Sequence, residues 1–67
     1  MADIKYPHIT VKLTGENGNA FNLISKVTYA LKRNGIKQAE VDQFVNEATS
    51  GDYDNVLQTC MRWVDVA

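Results

Sequence analysis

His8 and Cys60 are the only histidine and the only cysteine in this chain of 67 residues, so they alone could support thiol chemistry. Acyl transfer needs a nucleophile, a base within hydrogen-bond reach of it, and a third group that orients the base. His8 opens a strand-like run and Cys60 lies on the apolar stripe of a helical one, so only the tertiary fold could bring them together. A small buried hydrophobe is the commoner role for a cysteine on such a stripe. One cysteine forms no disulfide within the chain, and one His with one Cys makes no zinc set. Asp52 and Asp54 are close enough in sequence to suggest paired carboxylates for acid–base work. Asp52, however, stands where a helix N-cap belongs, and Asp54 falls in the first turn, where an acid complements the dipole. The two also lack the ligand spacing and the bidentate Glu of a calcium loop. Gly15-Glu16-Asn17-Gly18-Asn19 precedes a helix, where free N–H groups can hold an anion. It has neither the lysine of a P-loop nor the glycines of a dinucleotide fingerprint, and Glu16 would repel a phosphate. The expectation is a protein that is not an enzyme, with no catalytic residues, no cofactor and no metal.

Binding is better served. Asn22, Lys26, Tyr29 and Arg33 recur along one outward stripe of a helical segment, flanked by Ser25 and Lys32. An aromatic among cations on a rigid helix suits a phosphate backbone, a nucleotide or an acidic protein surface. Binders of single-stranded nucleic acid usually add several stacking aromatics, and Tyr29 is the one aromatic read on this face. At the C-terminus, Arg62 and Trp63 form a second candidate. If residues 62–66 are a strand, Val64 and Val66 face the core, and Trp63 turns outward with Asp65 as an interface anchor beside Arg62 and Tyr6. If the preceding helix continues instead, Trp63 closes the core. A solvated face is the default reading of the Asn22, Lys26, Tyr29 and Arg33 stripe.

The elements that would position these residues follow from spacing. After Pro7, the run from His8 to Thr14 alternates, with Ile9, Val11 and Leu13 on one side, which predicts a strand with one wet face. Gly15-Glu16-Asn17-Gly18 reads as a turn and Asn19 as an N-cap. Ala20, Phe21, Leu23, Ile24, Val27, Ala30 and Leu31 then recur at helical spacing, and Gly35 sits where a left-handed residue ends the helix. Val41, Phe44, Val45 and Ala48 predict a second helix over about 38–49, whose start lacks a favoured cap. Asp52 caps a third, with Tyr53, Val56, Leu57, Cys60 and Met61 on its inner side. A final strand near 62–66 would pair with the first, since a lone strand leaves both edges unpaired. The fold class is α+β: one domain over 1–67, strand–helix–helix–helix–strand, with a two-stranded sheet packed on helices and residues 1–5 loose. Even so paired, the sheet keeps an open edge that a second copy or a partner strand could use.

Composition agrees with a folded domain, at 45% apolar residues and a net charge of −1. The charge is uneven. From Asn17 to Ala39 every charge is positive, and from Glu40 to Asp54 every charge is negative, a split that bears on partner choice more than on fold. No apolar run nears the roughly 18 residues a membrane span needs, and the N-terminal residues carry no apolar signal segment. A lone cysteine fits a reducing cytoplasm.

Four strings, Tyr6-Pro7-His8-Ile9-Thr10-Val11-Lys12-Leu13, Gly18-Asn19-Ala20-Phe21, Ala48-Thr49-Ser50-Gly51-Asp52-Tyr53-Asp54 and Met61-Arg62-Trp63-Val64, resemble a group of short uncharacterised bacterial and phage proteins. The resemblance runs from Tyr6 to Val66 and implies a bacterial or phage setting and a cytoplasmic location, without assigning any residue a role. The functional expectation is a small interaction or regulatory module, self-associating, for instance as a homodimer, or bound to a host protein. The alternative is a weak nucleic-acid or nucleotide binder working through Lys26, Tyr29, Lys32 and Arg33, with the net charge against it.

Overall fold

The computed structural model describes residues 4–13 and 19–67. Its elements are β1 (Tyr6–Val11), α1 (Ala20–Arg33), α2 (Gln38–Ala48), α3 (Tyr53–Trp63) and β2 (Val64–Val66), which is the expected α+β order of strand, three helices and strand. The expected turn at 15–18 and the loose end at residues 1–3 lie outside the described residues. Lys5, placed with that loose end, donates its backbone N–H to the Arg62 carbonyl at 2.9 Å.

The two strands run parallel. Antiparallel partners can be joined by a tight hairpin, whereas parallel ones need a crossover of a dozen residues or more, and here the three helices provide it. The strand begins earlier than expected, at Tyr6, and takes Pro7 inside it. Pro7 has no N–H to donate to a ladder, and the pairing is irregular there. Tyr6 pairs with Val64 but Thr10 with Asp65, so four steps on one strand match one on the other. Beyond the bulge the ladder is regular, with Ala67 N–H donating to the Val11 carbonyl at 2.9 Å and Leu13 N–H to that of Ala67 at 3.2 Å. Ile9, Val11 and Leu13 are buried, as the alternation requires, while Thr10 faces water and donates to the Asp65 carboxylate at 3.3 Å.

α1 begins and ends as its sequence dictates. The Asn19 side chain accepts from Phe21 N–H at 2.9 Å. At the other end Gly35 has φ +78°, and Ile36 N–H reaches back to the Leu31 carbonyl at 3.0 Å while Gly35 N–H bonds that of Lys32 at 3.1 Å. This is a Schellman ending, with half-buried Ile36 covering the last turn. α2 starts at Gln38, and Lys37 before it makes no side-chain cap bond, as its sequence suggests. The α2–α3 junction is held by Asn55, whose amide donates to the Glu47 carbonyl at 2.7 Å and to that of Ala48 at 3.3 Å. Its own N–H is capped by Asp52 at 3.1 Å.

One core joins all five elements. Leu23, Val27 and Leu31 of α1 meet Val41 and Phe44 of α2, Val56 and Cys60 of α3, and Val64 of β2. Three residues expected on inner helix faces are instead exposed: Phe21 (75% exposed), Met61 (53%) and Tyr53 (40%). Each sits at the margin of its apolar stripe, where helical spacing alone does not decide between core and solvent.

Candidate interaction surface

α1 presents its apolar stripe inward and everything else to water. Phe21, Ser25 and Tyr29 follow one another at intervals of four and so share a ridge. Phe21 and Tyr29 are therefore about 12 Å apart along the axis. Tyr29 is 66% exposed, and Lys32 and Arg33 are exposed in the last turn, one turn beyond it. Lys26 is half-buried at the side of this face. The helix contains no acidic residue. Among the described residues Lys32 and Arg33 take part in no ion pair. The stripe read from sequence is thus brought together, and the structure adds Phe21 to it. A residue at the first turn of a helix, on the edge of its apolar arc, gives no sequence signal that separates it from the core.

The acidic residues are differently placed. Glu40 accepts from Lys5 Nζ at 2.9 Å and from the Tyr6 hydroxyl at 2.9 Å. Asp42 accepts from the Gln38 amide at 2.9 Å, and Glu47 accepts from the Trp63 indole N–H. Asp52 caps α3 and Asp54 lies in its first turn, both exposed on either side of Tyr53. Most of the negative charge on α2 therefore answers groups within the molecule.

Trp63 is not the exposed anchor that the strand reading gives. It is only 3% exposed, because the helix runs through it and β2 begins one residue later. Both readings of the C-terminus hold in part: the helix keeps Trp63 inward, and Val64 then starts the strand with its side chain in the core. Phe44 meets the Trp63 ring edge-on at 5.5 Å between centroids, and Tyr6 lies 6.0 Å away. Arg62 is exposed, and its guanidinium donates to the buried Thr59 hydroxyl at 3.2 Å.

Around this cluster the titrations shift together. The hydrogen bonds from Lys5 and Tyr6 hold the Glu40 carboxyl below its ordinary range. The same Glu40 contact raises Lys5, and desolvation followed by the Glu40 hydrogen bond raises Tyr6. Cys60 is fully buried, and burial pushes its thiol up to about 11. The thiolate is the nucleophilic form of cysteine, so at neutral pH Cys60 is a packed thiol. His8, on the wet side of β1, stacks edge-on to Tyr6 at 6.2 Å.

Compared with known proteins, the chain matches no family model, no curated protein and no solved structure. Among the described residues no helix is long and apolar enough to cross a membrane.

Proposed function

We propose that the chain is a non-enzymatic interaction module that works through the outer face of α1. The observation that carries this reading is the pairing of two exposed aromatics, Phe21 and Tyr29, with Lys32 and Arg33 on a helix without acids. Aromatic rings and arginine dominate the binding energy of protein interfaces, and a capped helix presents them with little loss of side-chain freedom. The partner is a protein surface of acidic character, either a host protein or another copy of the chain. A bacterial or phage setting is part of the proposal, on the resemblance of the four strings from Tyr6 to Val66. So is a cytoplasmic location, which a single, packed and protonated Cys60 suits.

Photo-crosslinking in the source cell tests the reading. A photoreactive residue replacing Phe21 or Tyr29 is expected to give one discrete adduct, and the same residue replacing the exposed Lys12 just beyond β1 is expected to give none. Equal adducts from both faces, or none from either, would overturn it.

Phe21 also favours a second reading. It supplies the second stacking aromatic that single-strand binding calls for, on the face that carries the cations. Titration with single- and double-stranded oligonucleotides at low salt decides it. A nucleic-acid binder shifts the amide signals of α1 and loses affinity steeply with salt, and unmoved α1 signals exclude it.

A further inference from the structure

Two exposed clusters of like charge stand toward opposite ends of α2. α1 ends at Arg33 and α2 begins at Gln38, so Tyr29, Lys32 and Arg33 lie near the start of α2. α2 ends at Ala48 and α3 begins at Tyr53, so Asp52, Tyr53 and Asp54 lie near its far end. Between them runs a helix of 11 residues, about 16 Å at the rise of an α-helix. The separation is long against the Debye length of about 8 Å at physiological salt, and no ion pair joins the two groups among the described residues. Each pole holds an exposed tyrosine between like charges: Tyr29 with Lys32 and Arg33, Tyr53 with Asp52 and Asp54. The basic pole is not diluted by Glu40, which Lys5 neutralises. Asp42 stands one turn into α2 with its carboxylate on the Gln38 amide.

Resting on the reading of the α1 face as an interaction surface, we propose its occupant: a second copy of the chain, docked head to tail. The pole formed by Tyr29, Lys32 and Arg33 of one copy meets Asp52, Tyr53 and Asp54 of the next. Complementary charge sets the orientation and excludes like pole against like. The two tyrosines provide the apolar contact that exposed ion pairs alone do not. The net charge of −1 leaves no general repulsion between copies. Because the two surfaces differ, the contact is heterologous and grows into a ring or an open chain rather than a two-fold dimer. It is weak and salt-sensitive, since most of its polar contacts remain wet.

Sedimentation velocity on the full chain across concentrations tests this. At low salt the wild type is expected to sediment faster as concentration rises, and to return to monomer at high salt. Lys32→Glu with Arg33→Glu, and separately Asp54→Lys, are each expected to stay monomeric. Their equimolar mixture is expected to associate again, because each supplies the pole the other lacks, a rescue that a misfolded chain would not give. Asp54→Asn, which keeps the Asp52 cap, is expected to weaken association partially. A wild type that remains monomeric at millimolar concentration, or a mixture without rescue, overturns the inference. The crosslink at position 29 separates this from the parent reading. An adduct of foreign mass in place of a multiple of the chain removes the second copy but keeps the surface, and no adduct removes both.

Discussion

The Lys5 ammonium lies 4.2 Å from the centre of the Trp63 ring while its charge is paired with Glu40 at 2.9 Å. The indole N–H of the same tryptophan donates to Glu47, on the same face of α2 as Glu40 and two turns further on. Through these contacts the residue leading into β1, the body of α2 and the end of α3 are joined at one place. The sheet needs such help. Two strands alone make a marginal sheet, and the irregularity at Pro7 removes pairing in the middle of β1. The Lys5–Trp63 stack and the Tyr6–Glu40 bond fasten the strand on the far side of that gap.

Trp63→Phe keeps an aromatic ring against Phe44 but removes the donor to Glu47 and the better cation–π surface. Hydrogen bonds to charged groups contribute about 1.5–3 kcal/mol, and Glu47 retains some solvent to replace the donor. The expected loss is about 2 kcal/mol in urea unfolding. Glu47→Gln, which keeps an acceptor, should lose less than half of that. Equal stability for Trp63→Phe and the wild type would show the indole contact to be idle.

Acid should weaken the same junction. Glu40 has its folded-state pKa depressed, chiefly by its hydrogen bond from Lys5 and then by that from Tyr6. A depressed carboxylate contributes stability above its unfolded value, about 4.3, and that contribution is lost as pH falls through the folded value. Lys5, whose pKa is raised by the same contact, contributes below its unfolded value and loses this as pH rises through the folded one. Thermal unfolding between neutral pH and pH 3 should therefore show a drop that Glu40→Gln reduces. That variant starts lower at neutral pH and then falls less. Parallel curves for the two proteins would dissociate Glu40 from the acid limb.

Local signals carried most of the fold into view. The alternation of Ile9, Val11 and Leu13 needs only a strand with one wet face, and the caps at Asn19, Gly35 and Asp52 act within a few residues of themselves. The α1 stripe of Lys26, Tyr29, Lys32 and Arg33 was legible for the same reason, because one helix defines it. What escaped were decisions made between distant elements. Tyr6 and Glu40 are 34 positions apart, and no spacing rule connects them. Strand direction also stayed open, since a crossover of three helices permits either. Trp63 shows the limit at its sharpest: the run from Arg62 to Val66 has both periods, and the chain uses one up to Trp63 and the other after it.

Asn55 ties the end of α2 to the start of α3, a role that no local sequence pattern assigns to it. Asn55→Ala leaves the Glu47 and Ala48 carbonyls without their amide donor and should cost about 1–2 kcal/mol. Gly51→Ala attacks the same joint from the other side, because an added Cβ would stand 2.9 Å from Asn55 Cβ. The double variant should be less destabilised than the sum of the two, because Asn55→Ala removes the Cγ and Nδ2 that the added methyl would also crowd at 3.2 and 3.4 Å, although the Cβ contact stays. Strict additivity in denaturant unfolding would show that Gly51 and Asn55 act separately.

Phe21 and Leu23 are two residues apart on one helix, both recur at its apolar spacing, and they face opposite fates. Leu23 is buried and Phe21 is three-quarters exposed. Leu23→Ala removes packed methyl groups and leaves a cavity, for a loss of about 2–5 kcal/mol, enough to unfold much of a domain this small. Phe21→Ser removes a ring that is three-quarters exposed and stands outside the core cluster, so its effect on stability should stay within about 0.5 kcal/mol. Serine also follows the Asn19 cap without disturbing it, because the bond there is made by the backbone N–H of residue 21. Urea midpoints for the two variants separate the cases directly. If Phe21→Ser unfolds as easily as Leu23→Ala, the ring is part of the core and the outer face of α1 loses its leading aromatic. If its midpoint is unchanged while its crosslinked adducts at position 29 weaken, the ring is kept on the surface for binding.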